Sequence, residues 1–193
     1  RVYYQANGWR ERELDELWTA QHKDAASYGA NTGFYVGLDS VRKWYVGAAA
    51  TGDGVLFQHP ISTGLVELAG DGKTAKGLWF CQGAYNDVET SGPVAHWTWG
   101  YFAADFIKEG DGWKIWHLQY LNDVDCICGQ SWGKPRQELP ELPEFAALGE
   151  FHYPPYTVEK TFRPLYTPER PHTDAPQIPE PYTTFADTFS YGI

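Results

Sequence analysis

The sequence predicts an antiparallel α+β domain followed by a proline-rich extended arm, on three observations. Helical periodicity is confined to the N-terminal quarter. Strand-like runs separated by Gly/Asp turns fill the stretch from Val55 to about Cys128. Eleven of the thirteen prolines lie from Pro135 onward, where no Trp occurs. Helices that precede a block of strands, instead of alternating with them, indicate an antiparallel sheet. The domain is expected over 1–132 and the arm over 133–193, the arm packing on its own domain or on a neighbouring subunit.

Each element has its own signal. Leu14, Leu17, Trp18 and Gln21 recur at three- and four-residue steps, which predicts a helix over Glu11 to Tyr28 that Gly29 and Asn31 stop. Gly33 to Gly37 reads as a short extended piece. Asp39 or Ser40 can then cap a second helix carrying Val41, Trp44 and Tyr45 on one face. Val55 to Leu68 is expected to be extended, and Ala69-Gly70-Asp71-Gly72-Lys73 is a hairpin turn of residues that tolerate positive φ. Thr74 to Tyr85 returns, a looser turn runs from Asn86 to Pro93, and Ala95 to Lys108 is a long strand. A second hairpin at Glu109-Gly110-Asp111-Gly112 leads into Trp113 to Val124. In the arm the prolines exclude helix and central strand. Its Phe and Tyr residues, from Phe145 to Tyr191, make it too apolar for a solvated tail.

Composition bounds the function. Nine Trp, thirteen Tyr and ten Phe bring the aromatic share to 17%, which fits either a bulky core or a pocket for a flat hydrophobic ligand. A net charge of −10 without a basic cluster excludes nucleic acid as a partner. No run of 18 apolar residues suggests a membrane helix, and no signal peptide opens the sequence. Three cysteines suit a reducing compartment, so a cytoplasmic location is expected. The lack of Met, with Arg at position 1, suggests a longer natural chain or methionines missing from the sequence. Cys126-x-Cys128 lacks zinc-site spacing, and no phosphate loop, dinucleotide fingerprint or Gly-x-Ser-x-Gly elbow occurs. Neither cofactor nor metal is expected, which leaves acid–base chemistry.

Several local sequences resemble the SnoaL-like branch of the nuclear transport factor two-like superfamily. They are Leu14-Asp15-Glu16-Leu17-Trp18, Gly33 to Gly37 before Trp44-Tyr45, Ala69 to Trp79, and Asp105-Phe106 through Asp111-Gly112-Trp113-Lys114-Ile115-Trp116-His117. Their order covers roughly residues 1–132. The resemblance implies a cone-shaped bent sheet closed by N-terminal helices around a deep pocket. It also implies kinship with cofactor-free dehydratases, isomerases, polyketide cyclases and carbon–carbon lyases, and with proteins that catalyse nothing. Scytalone dehydratase and the bile-acid dehydratase carry a pocket His before the first hairpin, where this chain has Gln58-His59, and a Tyr on the first helix, which Tyr3 or Tyr4 matches. Gly83 stands where the bile-acid enzyme has a pocket Asp.

Strand alternation places His59, Ile61 and Thr63 on one face, and Ile115, His117, Gln119, Leu121 and Asp123 on one face of the last strand. A His among apolar neighbours stays neutral and can act as a general base. The expected catalytic set is therefore His59 and His117 with Tyr4 and Asp123. Tyr3, Trp44, Tyr45, Trp79 and Trp99 are expected to bind the substrate, and Tyr hydroxyls to steady a developing oxyanion. The expected activity is a lyase or isomerase acting on a small aromatic or polycyclic compound. A non-catalytic binding protein and an assembly domain are the competing readings, and a homo-oligomer, dimer or trimer, is expected.

Overall fold

The computed structural model of the chain describes residues 1–48, 56–89, 92–133, 154–160, 163–169 and 175–193. It is an α+β fold built on one curved, open sheet of mixed direction. Two short helices, α1 (Val2–Ala6) and α2 (Arg10–Leu17), open the chain. The predicted helix to Tyr28 ends at Leu17 because its next backbone donors find other partners. Trp18 turns extended and bridges Ile115, while the Thr19 amide donates to the Ile115 carbonyl at 2.9 Å. The Thr19 hydroxyl and the amides of Ala20 (3.3 Å) and Gln21 (3.1 Å) donate to the Glu109 carboxylate. With those groups satisfied, nothing is gained by continuing the helix.

Strands β1 (Ser27–Gly29) and β2 (Gly33–Val36) pair with each other. Helix α3 (Leu38–Arg42) follows from Gly37, whose φ of 84° favours glycine, and neither Asp39 nor Ser40 caps it. It loosens into a π turn over Lys43–Ala48. The predicted strand to Leu68 is reduced to β3 (Phe57–Gln58) and β4 (Leu65–Leu68), with Pro60 removing a ladder donor between them. Val55 lies outside the described residues. The sheet's body is three long strands, β5 (Thr74–Glu89), β6 (Gly92–Glu109) and β7 (Gly112–Ile127). The β5–β6 ladder runs on to Glu89 and Gly92, through the stretch where a looser turn was expected. Strand order is β3-β5-β6-β7-β1-β2-β8, with β8 (Val158–Glu159) from the arm at the edge and β4 beside β5. β1 runs parallel to β7, so the sheet is not purely antiparallel.

Two β-bulges decide which side chains share a face. Phe106 pairs with Ile115 but Asp105 with His117, and Gly100 pairs with Asn122 but Trp99 with Val124. Trp116 and Asp123 are thus extra residues, and each reverses the alternation of β7. The inner face holds Phe102, Ala104, Ile115 and Leu118, packed against Leu14, Trp18, Val41 and Tyr45 from the helical layer. The outer face holds Leu78 and Ala103, covered by Tyr191 and Phe189 of the arm. No helix of the described residues is long and apolar enough to cross a membrane.

Candidate active site

The inner face and α1 enclose a cavity of about 450 Å³. Trp79, Phe102, Phe106, Trp113, Ile115 and Leu118 line it from the sheet, Val2, Tyr3 and Leu17 from the helices, and Ile61 from the loop after β3. Trp79 lies flat in a slot between two glycines. A Cβ on Gly64 would fall 2.0 Å from its indole nitrogen, and one on Gly77 2.1 Å from its far ring edge. Of the expected ligand-binding aromatics, Trp79 and Tyr3 line this cavity, Tyr3 at its exposed rim. A second depression of about 420 Å³ lies within the arm, between Gln177 and Phe189, and touches none of these residues.

His59 is buried beside the cavity, edge-on to Phe102 with ring centroids 6.4 Å apart and to Tyr120 at 5.0 Å. Its Nδ1 has no hydrogen-bond partner among the described residues. Burial, and then the Arg1 guanidinium, push its pKa down to about 4, so it is a neutral imidazole at neutral pH. Gly83 makes room for it: a Cβ there would lie 2.7 Å from the imidazole Cδ2. The position that resembles a pocket Asp is therefore filled by the His59 ring itself.

The second imidazole on this side of the sheet is His96, which was not among the expected residues. Tyr85 stacks on His96 at 4.6 Å and on His59 at 6.5 Å, a ring between two imidazoles. The Tyr85 hydroxyl donates to Asp125 Oδ2 at 2.6 Å, and His96 Nδ1 is 2.8 Å from Asp125 Oδ1. Beside them the Thr98 hydroxyl bonds the Tyr120 hydroxyl (2.8 Å) and the Asn122 side chain (2.6 Å). Burial holds the Tyr120 phenol far above its ordinary pKa, so it remains a neutral donor. A signal for His96 was present, since His96, Thr98, Gly100 and Phe102 alternate on one strand.

The remaining candidates lie elsewhere. His117 is on the opposite face, because it pairs with Asp105 beyond the Trp116 bulge. There its Nδ1 is 2.8 Å from Asp105 Oδ2, while Asp105 Oδ1 accepts from Lys76 at 2.6 Å. The Ser190 hydroxyl (2.9 Å) and the Tyr191 amide (2.8 Å) donate to Asp105 Oδ2, and four arm rings surround the Lys76 ammonium, Phe189 closest at 4.5 Å. Asp123, displaced by its bulge, pairs with Arg163 of the arm. Tyr4 packs on Trp9 and donates to Glu16 outside the cavity. Tyr45 donates to Glu13 at 2.6 Å, Trp44 stacks on Tyr28 at 4.2 Å within the core, and Trp99 faces outward with Val124. His59 and His117 do not converge. Among the described residues no group of three or more His, Cys, Asp or Glu is placed to hold a metal.

A bent sheet closed by short helices over an aromatic cavity defines the class: a nuclear transport factor two-like fold. A SnoaL-like domain matches residues 2–119, and the chain belongs to that family. Among solved structures it is similar to LinA, at 14% identity and TM-score 0.52, covering 69% of this chain and 90% of that one. A candidate scytalone dehydratase from Novosphingobium aromaticivorans gives 12%, 0.51, and 67% and 87%. A nuclear transport factor 2-like superfamily protein from Salmonella enterica gives 14%, 0.50, and 68% and 89%. These likenesses concern the fold. Comparison with curated protein sequences gave no match.

Proposed function

We propose that the protein is a cofactor-free lyase or isomerase that acts on a small, flat, hydrophobic cyclic compound, with His59 moving the proton. The observation that carries this is a neutral, buried imidazole with an unpartnered Nδ1 beside an aromatic cavity. The SnoaL-like family and the likeness to a candidate scytalone dehydratase support an enzyme without a cofactor.

In an elimination, His59 takes the proton from the carbon next to a carbonyl, and the electron pair forms the new double bond as hydroxide leaves. An imidazolium with a pKa near 4 is a strong acid and returns its proton at once to the leaving oxygen, releasing water. Tyr85, held by Asp125, keeps one face of the His59 ring fixed. Replacing His59 with Gln is expected to lower turnover of a β-hydroxy ketone about 10²–10⁴-fold, the range for a general acid–base group. Product formation followed by mass spectrometry checks this, and unchanged turnover contradicts it.

A binding protein without catalysis is the second reading. It is favoured by the absence of His59 from the residues that line the cavity and by the weakness of a base with so low a pKa. On that reading a bound ligand is recovered unchanged after incubation.

A further inference from the structure

We infer that the cavity takes a flat apolar ligand carrying an oxyanion, a carboxylate or enolate oxygen, and that the Arg1 guanidinium receives it. This deepens the proposed function, because it names the chemistry of the ligand for the same cavity. Arg1 is the charged side chain among the described residues that line the space, and every other lining side chain but the Tyr3 phenol and two Trp indoles is hydrocarbon. A guanidinium in such a wall is not there for solvation. Its Cζ lies 4.8 Å over the Phe102 ring and 5.6 Å over the Tyr45 ring, so it packs against two aromatic rings.

Its donors are only partly used. Nη1 donates to Gln5 Oε1 at 3.2 Å, while Nε lies 3.2 Å from Glu13 Oε1 as an ion pair without a hydrogen bond. The Nε N–H is buried and has no hydrogen-bond partner among the described residues, and the side chain is only 12% exposed. Leaving charged donors unpaired in an apolar enclosure is costly, and an incoming oxygen removes that cost. Tyr45 donates to the other Glu13 oxygen at 2.6 Å and fixes the carboxylate. Glu13 is the anchor that keeps the guanidinium in place. Charge-assisted N–H···O⁻ bonds are about twice as strong as neutral ones, and low dielectric strengthens them further. The cavity's chemistry is simple: ring faces for the body, one forked cation for the oxygen.

Arg1 and His59 also pack on the same ring, Phe102, at 4.8 and 6.4 Å. A substrate whose oxygen rests on Arg1 places its neighbouring carbon toward Phe102, against whose edge His59 packs. The oxygen that gains charge as the proton leaves would then already be paired.

Calorimetric titration of the full chain with 2-naphthoate and with its neutral isostere 2-naphthamide tests the inference. The expected result is naphthoate binding about tenfold or more tighter than naphthamide, a preference abolished in Arg1→Met and weakened in Arg1→Lys, which lacks the fork. Equal affinity for the two probes, no naphthoate binding, or an unchanged preference in Arg1→Met overturns it. Circular dichroism shows whether Arg1→Met folds; if it does not, Arg1→Lys decides, and an undiminished preference in that variant overturns the inference. His59→Gln should keep the preference. A variant that keeps it and keeps turnover removes the proposed reaction while leaving the oxyanion site intact, so the two ideas fail separately.

Discussion

At the residue scale, the two imidazoles expected to meet are both buried, yet for opposite reasons. The His59 Nδ1 has no hydrogen-bond partner among the described residues, and burial keeps the ring neutral. His117 is held by a buried carboxylate. The difference sets a sign. The folded pKa of His59, about 4, lies below the ordinary value of 6.5, so between those values the unfolded chain binds more protons than the folded one. Its contribution is fully present above pH 6.5 and is lost as pH falls toward 4. Denaturant titrations across that window should show stability declining on acidification, and in His59→Gln the decline should be smaller. An equal pH dependence in both proteins would show that His59 is not buried neutral. His59 was legible because Gln58-His59 resembles the family's pocket-His position before the first hairpin. His96 was overlooked because it follows a proline-containing turn in sequence, whereas the ladder in fact runs on through that stretch.

The element scale explains why His117 was misplaced. Alternation holds along β6 without interruption, but β7 has an extra residue at Trp116 and another at Asp123. A bulge leaves no reliable mark in a sequence, so Ile115 and His117 look like neighbours on one face when they are not. The helix boundary at Leu17 was hidden for a similar reason. The partner that satisfies residues 19–21 is Glu109, far along the chain in a hairpin. The β5–β6–β7 cross-strand set Lys76, Asp105 and His117 carries a further prediction. Burial acts to raise the Asp105 carboxyl, but the hydrogen bonds from His117 and Lys76 outweigh it, and its pKa lies below the ordinary value of 3.8. That contribution is present above the unfolded pKa and lost as pH falls through the folded one. Asp105→Asn leaves Lys76 buried without its counter-charge, and is expected to cost about 3–5 kcal/mol by urea unfolding. Lys76→Met should be far milder, since it removes the charge along with the need for a partner. Equal losses in the two variants would contradict this account.

For the whole molecule, the α+β class, the strand order around two clear hairpins and the SnoaL-like family were all readable from local signals, because turn residues and periodicity are local. The arm's destination was not. Its aromatic residues showed that it must pack, but not that residues 182–191 would form a cage over Lys76 on the side of the sheet away from the cavity. The Gly70 and Asp71 amides of the first hairpin bond the Tyr182 and Thr183 carbonyls at 2.9 and 3.0 Å, and the Gln119 side chain donates to the Tyr191 carbonyl. Among the described residues the sheet thus has two buried polar faces: an inner one where the His59 Nδ1 has no hydrogen-bond partner, and an outer one where Asp105 is bonded by Lys76, His117, Ser190 and Tyr191. On the proposed function it is the first that acts on a ligand. Histidine-selective NMR during titration with 2-naphthoate separates them most directly. Ligand should shift the ring resonances of His59, and to a lesser degree His96, while His117 stays still. A shift at His117 with none at His59 would place the working face under the arm and contradict the account.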